Sequence, residues 1–257
     1  MPARRVLFVF AHQDDEIAAA AQILEALRAG AEVHCVYLTN GGAPELRNAE
    51  SLRALTHLGV SSDRIAFLGS AAEIADGRLV EELARAHEAL ERHLAHLPFD
   101  AVFCLAWEGG HHDHDAAHVV ALAFAAKRKL LDRCWEVPVY HCYRVPRPFF
   151  RVLAPLPGAD VVIERISAFD GIKIALLIRF YRSQPSTLAL LPQLLGRLVI
   201  LRRTAIRRVD PRRLLDRPHP GRLFYERRYR FPYERFRAAA AEFITDRILR
   251  EPGSDRD

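Results

Sequence analysis

The sequence predicts an α/β fold: a Rossmann-like, doubly wound, mainly parallel sheet with helices on both faces and a smaller C-terminal appendage. Apolar runs rich in β-branched and aromatic residues recur near 6–10, 32–38, 64–68 and 100–105. Segments of helical composition near 17–29, 45–58, 78–96 and 116–130 alternate with them. The runs are continuous rather than alternating with polar residues, which is the pattern of strands covered on both faces.

Each element follows from local chemistry. Val6-Leu7-Phe8-Val9-Phe10 is apolar throughout and reads as a strand buried on both faces. Ile17 to Ala29 is rich in Ala, Leu and Glu and stops at Gly30, a suitable residue just past a helix end. Asp100-Ala101-Val102-Phe103-Cys104-Leu105-Ala106 is a second buried-strand pattern, and Ala116 to Leu130 carries the Ala, Leu and Lys content of a helix. Beyond residue 137 the pattern loosens, with Pro138, Pro146, Pro148, Pro155 and Pro157 breaking any long helix. The division expected is a core over 1–185 and a basic, aromatic-containing portion over 186–257 that completes the same domain.

Two clusters stand where buried strands end: Ala11-His12-Gln13-Asp14-Asp15-Glu16 and His111-His112-Asp113-His114-Asp115. Both are expected to be strand-to-helix loops at the carboxyl end of a strand, where open α/β sheets bind ligands and where residues distant in sequence meet. Imidazole and carboxylate together suit zinc or another first-row divalent ion, and three protein ligands leave a position open for water. An unligated Asp beside a ligand Asp could take the proton of that water. A protonated His across the site could stabilise an oxyanion or protonate a leaving amine. Other sites are excluded: no Gly-x-Gly-x-x-Gly follows the first strand, and there is no Walker loop or internal repeat.

The two clusters resemble the motifs of the PIG-L or LmbE-like metal-dependent de-N-acetylases, Ala-His-Pro-Asp-Asp-Glu and His-Pro-Asp-His, with Gln13 and His112 in place of the prolines. The resemblance implies that His12, Asp15 and His114 bind Zn2+, with Fe2+ or Co2+ compatible with the same donors. It further implies that Asp14 is the general base, His111 the electrostatic or general-acid partner, and Asp113 a residue that orients a neighbouring imidazole. Arg47-Asn48-Ala49-Glu50 matches the family's Arg-x-x-Glu. This makes Arg47 a candidate sugar or phosphate contact, the alternative being a solvent-exposed helix Arg paired with Glu50. Asp76-Gly77 resembles a pocket segment and gives Asp76 as a further substrate contact, although such a pair also serves as a plain turn. With Ser183-Gln184 the similarity spans the first 185 residues. Some relatives carry a Tyr two residues before the second motif, where this chain has Gly109, so the metal and His111 act alone on the carbonyl or a Tyr reaches in from elsewhere. His112, Asp115 and His118 are expected to be bystanders that cap or pack the next helix, and His57, His87, His93 and His96 to be surface residues.

Composition agrees with an enzyme core. With 257 residues, half of them hydrophobic, the chain can bury a full α/β core. Cys35, Cys104, Cys134 and Cys142 show no C-x-x-C spacing, and Cys35 and Cys104 fall within the strand candidates. Because Arg4-Arg5 leads directly into the first strand, no signal peptide is expected and the protein is read as cytoplasmic. Charge is uneven: residues 197–237 hold 14 Arg against 4 Asp or Glu, a balance of +10 in a chain of net +5. Just before it, Thr187 to Leu201 is dense in leucine, and Pro192 and Arg197 make it too interrupted for a membrane span. Residues 187–208 therefore read either as an interfacial segment on an anionic membrane, peripheral at the inner face, or as an amphipathic core helix with a solvated Arg face, the second being favoured. The aromatics Phe224, Tyr225, Tyr229, Phe231 and Tyr233 accompany the arginines without a recognition motif, so nucleic acid is not expected. No sequence feature sets an oligomeric state.

By resemblance, the expected reaction is removal of the N-acetyl group from a GlcNAc-containing glycoside or glycolipid, giving acetate and a free amine on a small-molecule amino sugar. Two alternatives stand beside it: an amidase on a thiol-sugar conjugate or antibiotic glycoside, and a non-catalytic sugar-binding protein.

Overall fold

The apolar run at the start becomes the centre of the molecule. In a computed structural model that describes residues 4–158 and 160–250, Arg5–Phe10 forms β1. It lies in parallel between β2 (Glu32–Tyr37) and β4 (Ala101–Leu105). Flanked by strands on both edges and helices on both faces, Val6 to Phe10 are all buried. Each such side chain contributes roughly 1.5–3 kcal/mol relative to exposure, which explains why no polar residue interrupts the run.

Seven strands form the main sheet in the order β3-β2-β1-β4-β5-β9-β8. Strands β3 (Ile65–Phe67) and β5 (Cys134–Val137) continue the parallel part, whereas β9 (Arg203–Arg208) and β8 (Val161–Arg165) are added antiparallel at one edge. A short hairpin of β6 (Tyr140–His141) and β7 (Arg151–Val152) stands apart. Because the chain passes from β1 to β2 on one side and later returns to β4 on the other, the winding reverses between β1 and β4. A crevice opens there at the carboxyl ends of both strands.

The helices in chain order are α1 (Glu16–Arg28), α2 (Pro44–Leu58), the single turn α3 (Leu68–Ala71), α4 (Leu83–Leu94) and α5 (His112–Lys127). Then come α6 (Ala168–Ala175), α7 (Pro185–Leu188), α8 (Leu191–Leu194), α9 (Phe224–Arg228) and α10 (Tyr233–Ile244). The sequence places α1 and α2 to within a residue or two. The helix expected over 78–96 opens instead as a 3-10 turn at Leu79–Glu82 before α4.

Two larger differences bear on function. The helix expected from residue 116 begins at His112, capped by His111, so the second cluster is the first turn of α5 rather than a loop. The leucine-dense stretch is not one helix: Pro192 sits in the first turn of α8 and ends α7 before it, and Leu195–Ile200 follows as a π-helix. Strands β8 and β9 went unseen in the sequence because they pair antiparallel at an edge. Val161–Arg165 leaves two apolar side chains exposed, and Arg203–Arg208 buries Arg207. Among the described residues no helix is long and apolar enough to cross a membrane.

Candidate active site

Both clusters meet in the crevice. His12 leaves the end of β1, and Asp15 occupies the position preceding α1, where its Oδ2 accepts the backbone N–H groups of Ala11 at 3.1 Å and His12 at 2.7 Å. From the other strand, the first turn of α5 sends in His114, whose Nε2 lies 3.0 Å from Asp15 Oδ1. One ligand atom from each of His12, Asp15 and His114 falls within 4.8 Å of the other two, and all three residues are buried. Burial opposes charge on Asp15, yet His114 and His12 beside it hold the carboxyl below its usual range.

Asp113 arranges His12. Fully buried, its Oδ2 accepts Gly77 N–H at 2.6 Å and lies 3.1 Å from His12 Nε2, while its Oδ1 accepts Leu79 N–H at 3.1 Å. The two backbone donors aim the carboxylate. With Nε2 engaged, His12 turns Nδ1 toward Asp15, 3.7 Å from Oδ2. Asp76 also lies 3.1 Å from His12 Nε2, but its carboxylate is 37% exposed. Although burial would lower the His12 pKa, Asp113 and Asp76 raise it well above the ordinary value.

Asp14 points into the cleft from a backbone with φ of 128°, a conformation that a non-glycine residue rarely adopts and that tends to mark functional sites. It is held by its own N–H to Glu16 Oε2 at 2.9 Å, by Thr187 Oγ1 donating to Oδ2 at 2.6 Å, and by Arg47 Nη2 at 3.4 Å from Oδ1. Burial and the neighbouring Asp15 charge raise its pKa, with Arg47 and Thr187 opposing. A carboxylate of raised basicity beside a candidate ligand Asp is what abstraction of a proton at near-neutral pH requires.

Arg47 is neither exposed nor paired with Glu50. It is buried beneath the cleft, donating to Gly41 O at 2.8 Å and Gln13 O at 2.5 Å, with Nη1 3.6 Å from Asp76 Oδ2. Glu50 instead accepts the Ser183 N–H at 2.9 Å and the Ser183 hydroxyl at 2.5 Å. Gln13, standing where the resemblance has proline, is fully buried and pins the loop through its amide, to Asn48 Oδ1 at 2.6 Å and Thr39 O at 3.3 Å.

His111 differs from expectation in charge. As the cap of α5 its Nδ1 accepts Asp113 N–H at 3.1 Å, which assigns the ring proton to Nε2. Burial, reinforced by His12 and His114, pulls its pKa well below the ordinary value. It therefore faces the cleft as a neutral donor rather than as an imidazolium. The expected bystanders are structural: His112 stacks on Phe231 at 4.3 Å, Asp115 accepts Glu108 and Gly109 N–H groups, and His118 Nδ1 lies 2.7 Å from Leu105 O. His87, expected on the surface, is buried.

The cleft measures about 520 Å³. Its polar floor is His12, Asp14, Asp15, Arg47, Asp76, His111 and His114, so every pocket residue expected from sequence lines it, while Asp113 lies behind His12. Its walls come from later segments, whose individual residues the sequence did not assign to the site. These include Tyr140 and Phe150 around the small hairpin, Gln184 to Leu194 around α7 and α8, and Phe224, Arg228 and Tyr229 around α9. The run of aromatics in 224–233, Ser183-Gln184 and the expectation of a Tyr reaching in from elsewhere were the sequence signals for them. Tyr140 packs on His114 and Tyr229 on His111, at ring separations of 5.3 and 4.6 Å.

Gly109 explains its own identity. Its φ is +71°, which side-chain-bearing residues rarely adopt, and a Cβ there would stand 2.6 Å from Leu223 Cδ2, so a side chain would be strained and would displace Leu223. Phe224 N–H bonds Gly109 O at 2.8 Å, fastening α9 over this spot and bringing Tyr229 to His111.

The donor set fits a divalent ion. Two imidazoles and one carboxylate converge from two elements, one imidazole is backed by a buried carboxylate, and a cleft opens above them for water and substrate. Among solved structures, the chain is similar to the deacetylase of the A40926 antimicrobial pseudoaglycone, at 16% identity and a TM-score of 0.58 over 80% of this chain and 99% of that one. It is similar to a deacetylase–teicoplanin complex at 15% identity and a TM-score of 0.58, again over 80% and 99%. A conserved protein from Thermus thermophilus matches at 24% identity and a TM-score of 0.50, over 73% and 84%. These likenesses establish the shared fold. No curated protein sequence matches significantly. The family model described as PIG-L, GlcNAc-PI de-N-acetylase, matches residues 7–125, which contain both clusters and the whole polar floor of the cleft.

Proposed function

We propose that the chain is a metal-dependent de-N-acetylase that removes the acetyl group from an amino sugar carried on a larger, partly apolar acceptor. The observation that carries this reading is the convergence of His12, Asp15 and His114 beside an unligated, strained Asp14 at the floor of one cleft. The match to the PIG-L family model over residues 7–125 and a fold shared with deacetylases of glycosylated antibiotics support the same activity.

His12, Asp15 and His114 would hold the ion, with zinc, iron or cobalt each suited to two imidazoles and a carboxylate. When bound, such an ion supplies Lewis acidity toward the acetamide carbonyl and acidifies a water. Asp14 takes the proton of the attacking water, Arg47 and Thr187 keeping its carboxylate aimed into the cleft. His111, neutral and with its proton on Nε2, donates to the developing oxyanion. The departing amine takes a proton as the tetrahedral species collapses, and Asp14, protonated by then, is placed to return it. The hydroxyls of Tyr140 and Tyr229 supply further donors on the opposite wall, where Gly109 has no side chain to do so.

Both the volume of the cleft and its lining favour an acceptor with an apolar portion. About 520 Å³ suits a drug-sized ligand, and Ile17, Phe150, Leu190, Leu194 and Phe224 are among its apolar lining. The test is acetate release from a panel of GlcNAc-bearing acceptors, with and without hydrophobic aglycones, in the presence of zinc, iron or cobalt. Asp14→Asn should lose at least about a hundredfold in kcat while retaining stoichiometric metal. Tight glycan binding with no turnover on any acceptor would refute the enzyme reading in favour of a sugar-binding protein.

A further inference from the structure

A second feature lies outside the site. On α6 and at the residue that ends it, the side chains of Phe169, Ile172 and Leu176, spaced to share one helical face, are exposed, Phe169 at 75%. Against α6 packs the π-helix Leu195–Ile200, so closely that a Cβ on Gly171 would stand 2.2 Å from Leu198 O. That π-helix ends on Ile200, 78% exposed, and Leu201, 55% exposed, follows it. Ile166 N–H bonds Arg202 O at 3.2 Å and closes the surface at the start of α6. Large apolar side chains gathered this way are rare on a monomer surface without a partner.

Charge identifies the partner. From Arg165 to Arg203 the chain carries seven Lys or Arg residues and a single acid, Asp170. That acid is buried and paired with Arg28, so it does not offset the field. Arg202 and Arg203, both exposed, directly follow Ile200 and Leu201. A folded protein docking here would need a matched shape. An anionic bilayer needs only apolar side chains that reach the acyl boundary and cations that meet its headgroups. The same segment also walls the cleft: Thr187 and Leu194 face inward while Leu188 and Leu195, one residue on, face outward.

We propose that the face formed by α6 and residues 195–203 is a docking surface for an anionic lipid bilayer, which holds the mouth of the cleft at the membrane. The surface is separate from the metal chemistry, and its test needs no turnover. The full chain is floated with phosphatidylcholine vesicles, alone or with about 30 mol% phosphatidylglycerol, at about 0.1 M salt. Binding to the anionic vesicles should exceed binding to the neutral ones at least tenfold and fall severalfold at about 0.5 M salt. Phe169→Ser combined with Ile200→Ser should abolish flotation while leaving the thermal midpoint unchanged, since both side chains lie outside the core. Arg202→Glu with Arg203→Glu should lower anionic binding about tenfold or more. As a separate readout, Ile200→Trp should blue-shift its emission on anionic vesicles alone. Failure to float with anionic vesicles, or equal flotation of the double Ser variant, would overturn the proposal. So would sedimentation showing a dimer that the double Ser variant dissolves, which would assign the face to a second copy of this chain.

Discussion

Asp113→Asn separates the imidazole-orienting role from a merely structural one. The carboxylate accepts from Gly77 N–H and Leu79 N–H, and its Oδ2 lies 3.1 Å from His12 Nε2. An amide of the same shape has one acceptor oxygen, so its NH2 must oppose either Leu79 or the Gly77–His12 pair. In a fully buried position, each donor left facing a donor costs about 1–3 kcal/mol. If the amide keeps its oxygen toward His12, the ring keeps an acceptor, though an uncharged one, and stability falls because the NH2 opposes Leu79 N–H. If the NH2 faces His12, the ring loses the carboxylate that fixes its tautomer, and metal affinity should fall about 10–100-fold. Two donors against one favour oxygen toward Gly77 and His12, but an amide oxygen lacks the charge that supports the ligand. A loss of at least about tenfold is therefore expected in either orientation. Asp76→Asn is the control: it also lies 3.1 Å from His12 Nε2, but it is 37% exposed and has no buried backbone donors to aim it. Its loss should stay under about threefold. Affinity is read by chelator competition, and stability by urea denaturation in the metal-free state. Unchanged affinity in Asp113→Asn, or a larger loss in Asp76→Asn, would refute the assignment of Asp113 as the residue that orients His12.

Three further outcomes follow from the same geometry. Because Asp113 and Asp76 raise the His12 pKa above its ordinary value against the effect of burial, metal-free protein carries that imidazole protonated at pH 7. Metal uptake should then release a proton, measurable by calorimetry in buffers of different ionisation enthalpy, and affinity should fall as pH drops below that pKa. Thr187→Val removes a hydroxyl that donates to Asp14 Oδ2 at 2.6 Å and helps hold down a carboxyl already raised by burial; the acidic limb of the kcat/KM profile should move to higher pH, and an unmoved limb would count against Asp14 as base. His141 and His219 are buried and pushed down to about 4, principally by burial, so the fold holds them neutral while the unfolded chain protonates near 6.5. Their contribution is fully present above about pH 6.5 and is lost as pH falls toward 4, on the order of 2 kcal/mol for each by pH 5. Urea denaturation at pH 7.5 and 5 should show that loss, and His141→Asn with His219→Asn should flatten it.

The parallel half of the fold was legible because its strands have no polar face. Once Val6 to Phe10 is read as buried on both sides, the loop after it must stand at a carboxyl edge, and His12, Asp14 and Asp15 fall into place. The floor of the cleft was readable for the same reason, being made of short-range clusters fixed to strand ends. What hid the rest was sequence distance. Thr187 reaches Asp14 across 173 positions, and nothing in Pro185–Leu188 marks it as a neighbour of the first cluster. Strand β9 went unrecognised because Arg207 looks like a surface residue until Glu136, 3.3 Å away and buried, supplies its partner. For Arg47 the i, i+3 spacing offered Glu50 as the alternative partner, whereas the carbonyls of Gly41 and Gln13 that hold it at the cleft come together only in the folded loop.

Gly109 ties these two halves together. In a strand-to-helix connection built for chemistry, such as that between β4 and α5, absence of a side chain next to the second cluster would look like loss of function. Here the vacated volume is taken by Leu223, and the backbone bond from Phe224 to Gly109 fixes α9 against the cleft. The consequence is that Tyr229 reaches His111 from a segment outside the family match, which ends at residue 125. The matched span thus supplies the reacting groups, whereas Tyr140, the 184–194 segment and α9 decide what lies against them. Substrate choice should therefore change under substitutions at Phe150, Leu190 or Phe224 that leave metal binding untouched, because those apolar side chains line the cleft and are not among the three metal donors.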